Sequence, residues 1–182
     1  MNRLLNRPLI ARSRINRPLI NGPLHRQNGV MLLEALIGLM IFSVGILAMI
    51  GMQAAAFSAA ADAKYRSDAA AYANDIISKI WMSVDRTSDA ATITSLNNFQ
   101  YNTGGADCAF SGGPADATNT VLAGWVSAVT DTSSNTSLLG ATAAMQQIAV
   151  STADLNRVTI TVCWKAPQDT RSRKHQVITY VY

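Results

Sequence analysis

An uncharged apolar run near the N-terminus constrains this chain more than any other feature. Residues 35–52 carry no charged side chain, and the preceding residues 30–33 are apolar as well. At about 1.5 Å of rise per residue, an α-helix of this length crosses about 30 Å of hydrocarbon. The alternative is the buried core helix of a soluble protein, in which uncharged runs are usually shorter. The sequence therefore predicts a transmembrane helix over residues 30–53.

The basic charge of the chain is concentrated before this helix. The 182 residues have a formal net charge of +4, but residues 30–182 hold nine basic side chains against eleven acidic ones, a net charge of −2. Six arginines and no acid occur in residues 1–29: Arg3, Arg7, Arg12, Arg14, Arg17 and Arg26. Basic flanks stay in the cytoplasm, so the C-terminal part is predicted to be periplasmic or external. A net acidic body argues against a nucleic-acid partner.

The residue types needed for catalysis or metal binding are scarce. The two histidines are His25 and His175, and the two cysteines are Cys108 and Cys163, with no CxxC or HExxH pattern. This composition supplies no ordinary zinc ligand set. We therefore predict no enzyme activity, no catalytic residue, no metal site and no cofactor.

The apolar run is preceded by a glycine, four apolar residues and Glu34, which is the single glutamate of the chain. The matching text is GVMLLEALIGLMIFSVGILAM, with basic residues ahead of it. This arrangement resembles the class III signal of type IV prepilins, and the chain resembles a minor type IV pilin of the PilV type, the pilus modification proteins. The resemblance is specific over residues 26–84 and weaker over residues 157–182.

The resemblance implies a defined processing route. A prepilin peptidase would cut between Gly29 and Val30, remove residues 1–29 as a basic leader, and methylate the new amino group of Val30. The helix would first be an inner-membrane anchor with a cytoplasmic N-terminus and a periplasmic head, and later a part of an extracellular pilus. The implied partners are the peptidase, the major pilin, other minor pilins and the pilus assembly platform.

Glu34 lies at a costly position. A charged side chain within a bilayer costs roughly 2.5–3.5 kcal/mol on translocon scales and usually has a function. The alternative is a tolerated charge near the interface, relieved by extension of the side chain toward water. The resemblance implies that Glu34 pairs with the Val30 amine of a neighbouring subunit during assembly.

Three other interpretations remain open at this point. The chain could be a type II secretion minor pseudopilin of the I or J kind, because those proteins share the glycine-to-glutamate pattern. It could also be a signal-anchored periplasmic domain that is not cut at Gly29. A start codon placed too far upstream would explain the length of the leader equally well.

The helical pattern continues beyond the membrane segment, and no proline occurs between Pro23 and Pro114. Apolar residues recur every three or four positions, which predicts one helix to about Val84. They are Phe57, Ala61, Tyr65, Ala69, Tyr72, Ile76, Ile80 and Val84. We assign residues 54–86 to the periplasmic half of this helix and residues 87–182 to a globular head.

The head is predicted to be α+β, a small antiparallel sheet packed on the second half of the long helix, as in type IV pilins. Residues 88–118 indicate a loop with a short strand near 99–101, and residues 119–129 indicate a short amphipathic helix. The strand candidates are 147–151, 157–165 and 176–182. The basic residues Arg171, Arg173 and Lys174 are interpreted as a solvated loop between the last two strands, with DNA binding for uptake as the alternative.

Two cysteines in an exported head favour one disulfide between Cys108 and Cys163. It would close a loop of about 55 residues and stabilise the head by about 2–4 kcal/mol. Two free buried thiols are the alternative. The alternation of Val162 and Trp164 leaves open whether Cys163 faces Cys108.

Overall fold

The structure is a computed structural model that describes residues 30–134 and 136–182. The leader, including Gly29, lies outside the described residues. The chain divides into two compact units, Met1–Ile50 and Gly51–Tyr182, and each is considered by itself below.

The first element, α1, is a single helix over Val30–Ser83, one residue shorter than predicted. Its residues up to Ile50 are all exposed. In the second unit, α1 buries a face built from residues spaced by three or four: Ala69, Ala73, Ile76 and Ile80. The predicted face began at Phe57, and that part of the prediction is wrong because Phe57 is 75% exposed.

Residues 88–118 contain more structure than the predicted loop. Helix α2 covers Asp89–Asn97, and the Ser88 hydroxyl caps it by accepting a hydrogen bond from the backbone N–H of Ala91. The strands β1 (Gly104–Ala106) and β2 (Ala109–Ser111) form a hairpin. The strand predicted near residue 100 is wrong, because Tyr101 makes only isolated bridges with Pro114 and Ile148.

Helix α3 covers Thr120–Thr130, close to the prediction, and the Asn119 side chain caps it by accepting from the N–H of Leu122. Its apolar face is buried, and the indole N–H of Trp125 donates to the backbone carbonyl of Tyr72 at 2.9 Å. A carbonyl of α1 thus accepts a partly buried hydrogen bond from α3, which joins the two helices.

The main sheet has three antiparallel strands in the order β3–β4–β5. Their bounds are Gln146–Ser151, Arg157–Trp164 and Arg173–Tyr180, so β5 begins three residues before the prediction. A one-turn 3₁₀-helix, Ala143–Met145, precedes β3.

The inner face of the sheet shares one apolar core with α1 and α3. Ile148 pairs with Ile160, and Ile160 pairs with Val177 across the sheet. Ile148, Ile160 and Trp125 belong to the same buried cluster as the inner face of α1. The predicted class, a long N-terminal helix and a small antiparallel sheet in an α+β head, is confirmed.

Candidate functional site: the apolar helix and its glutamate

The first part of α1 is apolar and exposed. It contains a window of 18 residues that is long and apolar enough to cross a membrane, and none of that window is buried. A soluble core helix would be largely covered by its own chain, so the exposure argues against that alternative. Together with its position near the N-terminus, this makes the helix compatible with a single-pass membrane anchor.

Polar groups within this segment are satisfied inside the helix. Ser43 is the one hydroxyl-bearing residue between positions 35 and 52, and its side chain donates to the Leu39 carbonyl at 2.7 Å. Hydrogen bonding to the preceding turn is the usual way in which serine is accommodated without water. The helix therefore needs no external partner for this hydroxyl.

Glu34 is exposed on the same segment. Val30 and Glu34 are four residues apart, so they share one helix face. The next charged residue along α1 is Asp62, and the ion pairs of residues 30–134 and 136–182 do not include Glu34. Val30, which follows the predicted cut, is the first residue of α1. Gly29, which precedes the cut, lies outside the described part of the chain.

Cys108 and Cys163 form a disulfide, as the sequence predicted. Cys163 belongs to the outer face of β4, opposite its neighbours Val162 and Trp164. The β1–β2 hairpin covers this end of the outer face, and Phe110 and Met145 pack against the two cysteines. Cys163 therefore faces Cys108, and the sheet is buried on both faces at this end.

Arg173 is not the solvated loop residue that the sequence predicted. It lies on β5, donates to both carboxylate oxygens of Asp169, and forms an ion pair with Asp62 of α1. The hydrogen bond to Asp169 is the main cause that raises the pKa of the Arg173 guanidinium. Lys174 also lies on β5, while Arg171 is in the preceding loop.

The Asp62–Arg173 pair was missed in the sequence because its members are 111 residues apart. Charge alone carries no information about which distant residues meet. This ion pair could have been predicted only if the side of α1 that faces β5 had been known.

Among residues 30–134 and 136–182, no group of three or more His, Cys, Asp or Glu side chains could hold a metal ion. His175 lies on β5. We assign no catalytic residue.

No protein-family model, curated protein or solved structure matches this chain. The functional argument therefore depends on the residues of the chain and on the geometry described above.

Proposed function

We propose that this protein is a minor pilin, a structural subunit that primes or modifies assembly of a type IV pilus. The observation that carries the proposal is the position of Glu34. This lone acid follows Gly29 by five residues and lies on a long apolar helix that its own chain leaves uncovered.

The exposure of the apolar helix supports two successive environments. Lipid can cover it while the subunit is anchored in the inner membrane, and the helices of neighbouring subunits can cover it in a filament. The glycines at 38, 45 and 51 have no heavy atom within 4 Å of the place where a Cβ would stand. Small residues of this kind allow close helix contact in apolar surroundings.

Pairing with a neighbour's N-terminal amine would offset the cost of placing the Glu34 carboxylate in apolar surroundings. The isolated charge costs roughly 2.5–3.5 kcal/mol in the bilayer. A carboxylate and an ammonium about 4 Å apart attract each other by about 4 kcal/mol at an effective dielectric constant of about 20. The attraction offsets the penalty only when both groups are present, so assembly depends on a cut that frees the Val30 amine.

The proposed route begins with the arginine-rich leader in the cytoplasm and the head in the periplasm. Prepilin peptidase cuts after Gly29 and methylates Val30, and the assembly platform then brings the subunit together with the major pilin and other minor pilins. A residue without a Cβ at the cut supports this route, because it lets the backbone enter a protease site in extended form.

The first experiment tests processing. The protein is recovered from membranes of cells with and without prepilin peptidase, and its intact mass and N-terminal sequence are determined. We expect N-methylated Val30 at the N-terminus only when the peptidase is present. Gly29→Leu should abolish the cut, whereas the adjacent Asn28→Ala should leave it intact. An unprocessed chain in peptidase-positive cells would instead identify a signal-anchored domain.

The second experiment tests Glu34 in assembly. We expect Glu34→Ala and Glu34→Gln to be inserted and cut normally but to be missing from sheared filaments, because each lacks the charge that pairs with the amine. The control Leu33→Ala removes an exposed apolar side chain at the neighbouring position and should be incorporated normally.

Incorporation of Glu34→Ala at the level of the unmodified protein would rule out this role. Dependence of the same phenotype on a type II secretion platform, with no protein in sheared pili, would move the assignment to a minor pseudopilin.

A further inference from the structure

A cleft lies between α1 and the beginning of β5, within the second unit. Its volume is about 410 Å³, and it is lined by Arg66, Trp164, Arg173, Lys174 and His175. Four of these residues carry basic side chains, and none of the five carries a carboxylate. We refer to these five residues as the basic cleft.

The basic cleft has more hydrogen-bond donors than acceptors. Arg66 uses its Nε to bind Asp62, and Arg173 uses three N–H groups to bind Asp62 and Asp169. A guanidinium has five N–H donors, so both arginines retain free donors. Lys174 pairs with Cys163 across the sheet, so its side chain lies on the opposite face of β5 from Arg173 and His175. The two carboxylates fix the arginines in place without using all of their donors.

Trp164 of β4 lines the basic cleft and carries a buried donor. Its side chain is 1% exposed, and its indole N–H has no hydrogen-bond partner among the residues that the structure describes. A buried donor left unsatisfied costs free energy. An acceptor brought by a ligand would remove this cost, and the surrounding cations would favour an acceptor with negative charge.

We propose that the basic cleft binds an oxyanion of the phosphate class. A tetrahedral oxyanion presents several acceptor oxygens, so one group can accept from the Trp164 indole and from a guanidinium at the same time. The cleft is larger than one phosphate ion, so it has room for a phosphate ester. Free phosphate and a phospholipid headgroup are two sources of the same chemistry. The site does not depend on the proposed role in pilus assembly.

The test uses the full chain with ¹⁵N-labelled tryptophan in micelles of an uncharged detergent. The chain has three tryptophans, so the spectrum has three indole resonances, and Trp164→Phe identifies that of Trp164. Inorganic phosphate is then added at constant ionic strength. We expect a saturable shift of the Trp164 resonance, while the resonances of Trp81 and Trp125 remain in place.

Variants test whether the surrounding cations hold the anion. Arg66→Gln should weaken phosphate binding by roughly tenfold or more, because a hydrogen bond to a charged group contributes about 1.5–3 kcal/mol. Lys64→Gln is the matched control, because it removes one exposed positive charge from the same helix outside the cleft, and it should change the affinity by less than about threefold.

The same resonance distinguishes the two sources. A shift with inorganic phosphate in micelles identifies free phosphate as sufficient. A shift only in phosphatidylglycerol nanodiscs, absent in phosphatidylcholine nanodiscs, identifies an anionic headgroup. A shift with an oligonucleotide alone would overturn the proposal in favour of a nucleic-acid surface. No shift with any of these probes would overturn it as well.

Discussion

Gln146 shows how one polar side chain completes the sheet of the head. It is fully buried, and its amide donates to the carbonyl of Cys163 and accepts from the backbone N–H of the same residue. The chain turns away from β4 just before this point, so the side chain takes the place that another strand residue would occupy. Asn102 donates to the Gln146 carbonyl and ties the segment before the hairpin to the same corner.

We expect Gln146→Leu to lower the free energy of unfolding by about 1–3 kcal/mol, because it leaves a buried backbone N–H and carbonyl without partners. Urea unfolding of the full chain in detergent micelles measures this change. Gln176→Leu is the control: that glutamine is exposed and its side chain donates to the Thr161 hydroxyl, so the loss should stay below about 0.5 kcal/mol. Equal losses in the two variants would contradict the role given to Gln146.

Three aspartates, the exposed Asp85 and Asp131 and the half-buried Asp116, accept hydrogen bonds within short turns and make the stability of the head depend on pH. The side-chain hydrogen bond from Thr118 lowers the pKa of Asp116, and that from Ser133 lowers the pKa of Asp131. For Asp85 the backbone N–H of Thr87 is the main cause of the lowered pKa. A lowered pKa in the folded state means that the stabilisation is complete above the ordinary carboxyl range and is lost as pH falls through the folded value.

We therefore expect the melting temperature of the head to be insensitive to pH near neutrality and to fall below about pH 4. The variant Asp116→Asn, Asp131→Asn should show a smaller fall over that range, because its turns no longer contain groups that take up protons. Circular dichroism melts over a pH series measure the effect. A variant with the same acid-induced fall as the unmodified protein would contradict this assignment.

At the scale of elements, the disulfide holds the β1–β2 hairpin against β4. The hairpin turn consists of Asp107 and Cys108, both at positive φ, so a cysteine occupies a position where glycine is usual. Each strand has only three residues, and a two-stranded hairpin of this size is marginal by itself. The covalent link compensates for the small amount of backbone pairing.

We expect the double variant Cys108→Ala, Cys163→Ala to lose about 2–4 kcal/mol of unfolding free energy relative to the oxidised protein. Alanine is preferred over serine because the site is buried and a hydroxyl would need a partner. In hydrogen exchange, the amides of residues 104–111 should lose protection while those of β4 and β5 keep theirs. Unchanged protection in the hairpin would show that the disulfide is not what holds it.

The elements that the sequence predicted are those with a strong period. The long helix, α3 and the last three strands all have apolar residues at the spacing of a helix or a strand. Helix α2 was missed because DAATITSLN is short and rich in β-branched residues, although Ser88 before Asp89 is an N-terminal cap. The hairpin was missed because its turn residues, Asp107 and Cys108, are not an Asn-Gly or Asp-Gly pair.

At the scale of the whole molecule, the proposed cut would reverse the sign of the net charge. The full chain has a net charge of +4, and residues 30–182 have −2. N-methylation preserves the charge of the amine, so the difference comes from the leader alone. A local sequence pattern was enough to identify Gly29, Val30 and Glu34, because they lie close together in the chain. The basic cleft could be identified only from the structure, because its residues come from α1, β4 and β5.

We expect isoelectric focusing to separate the two forms. The unprocessed protein should focus near its calculated isoelectric point of about 9.3, and the processed protein should focus in the acidic range. Gly29→Leu should remain entirely basic. A single basic band in cells that contain prepilin peptidase would contradict the processing route.

The disulfide also sets how the head responds to mechanical load. Cys108 and Cys163 close a covalent ring that contains α3, β3 and nearly all of β4, while α1 and β5 lie outside it. A force applied along the backbone can peel β5 from the sheet but cannot stretch the ring. About 55 residues, or roughly 190 Å of extended chain, are thereby withheld from elongation. Under tension the subunit would therefore unfold and lengthen only in part. The part that unfolds could refold when the force is removed.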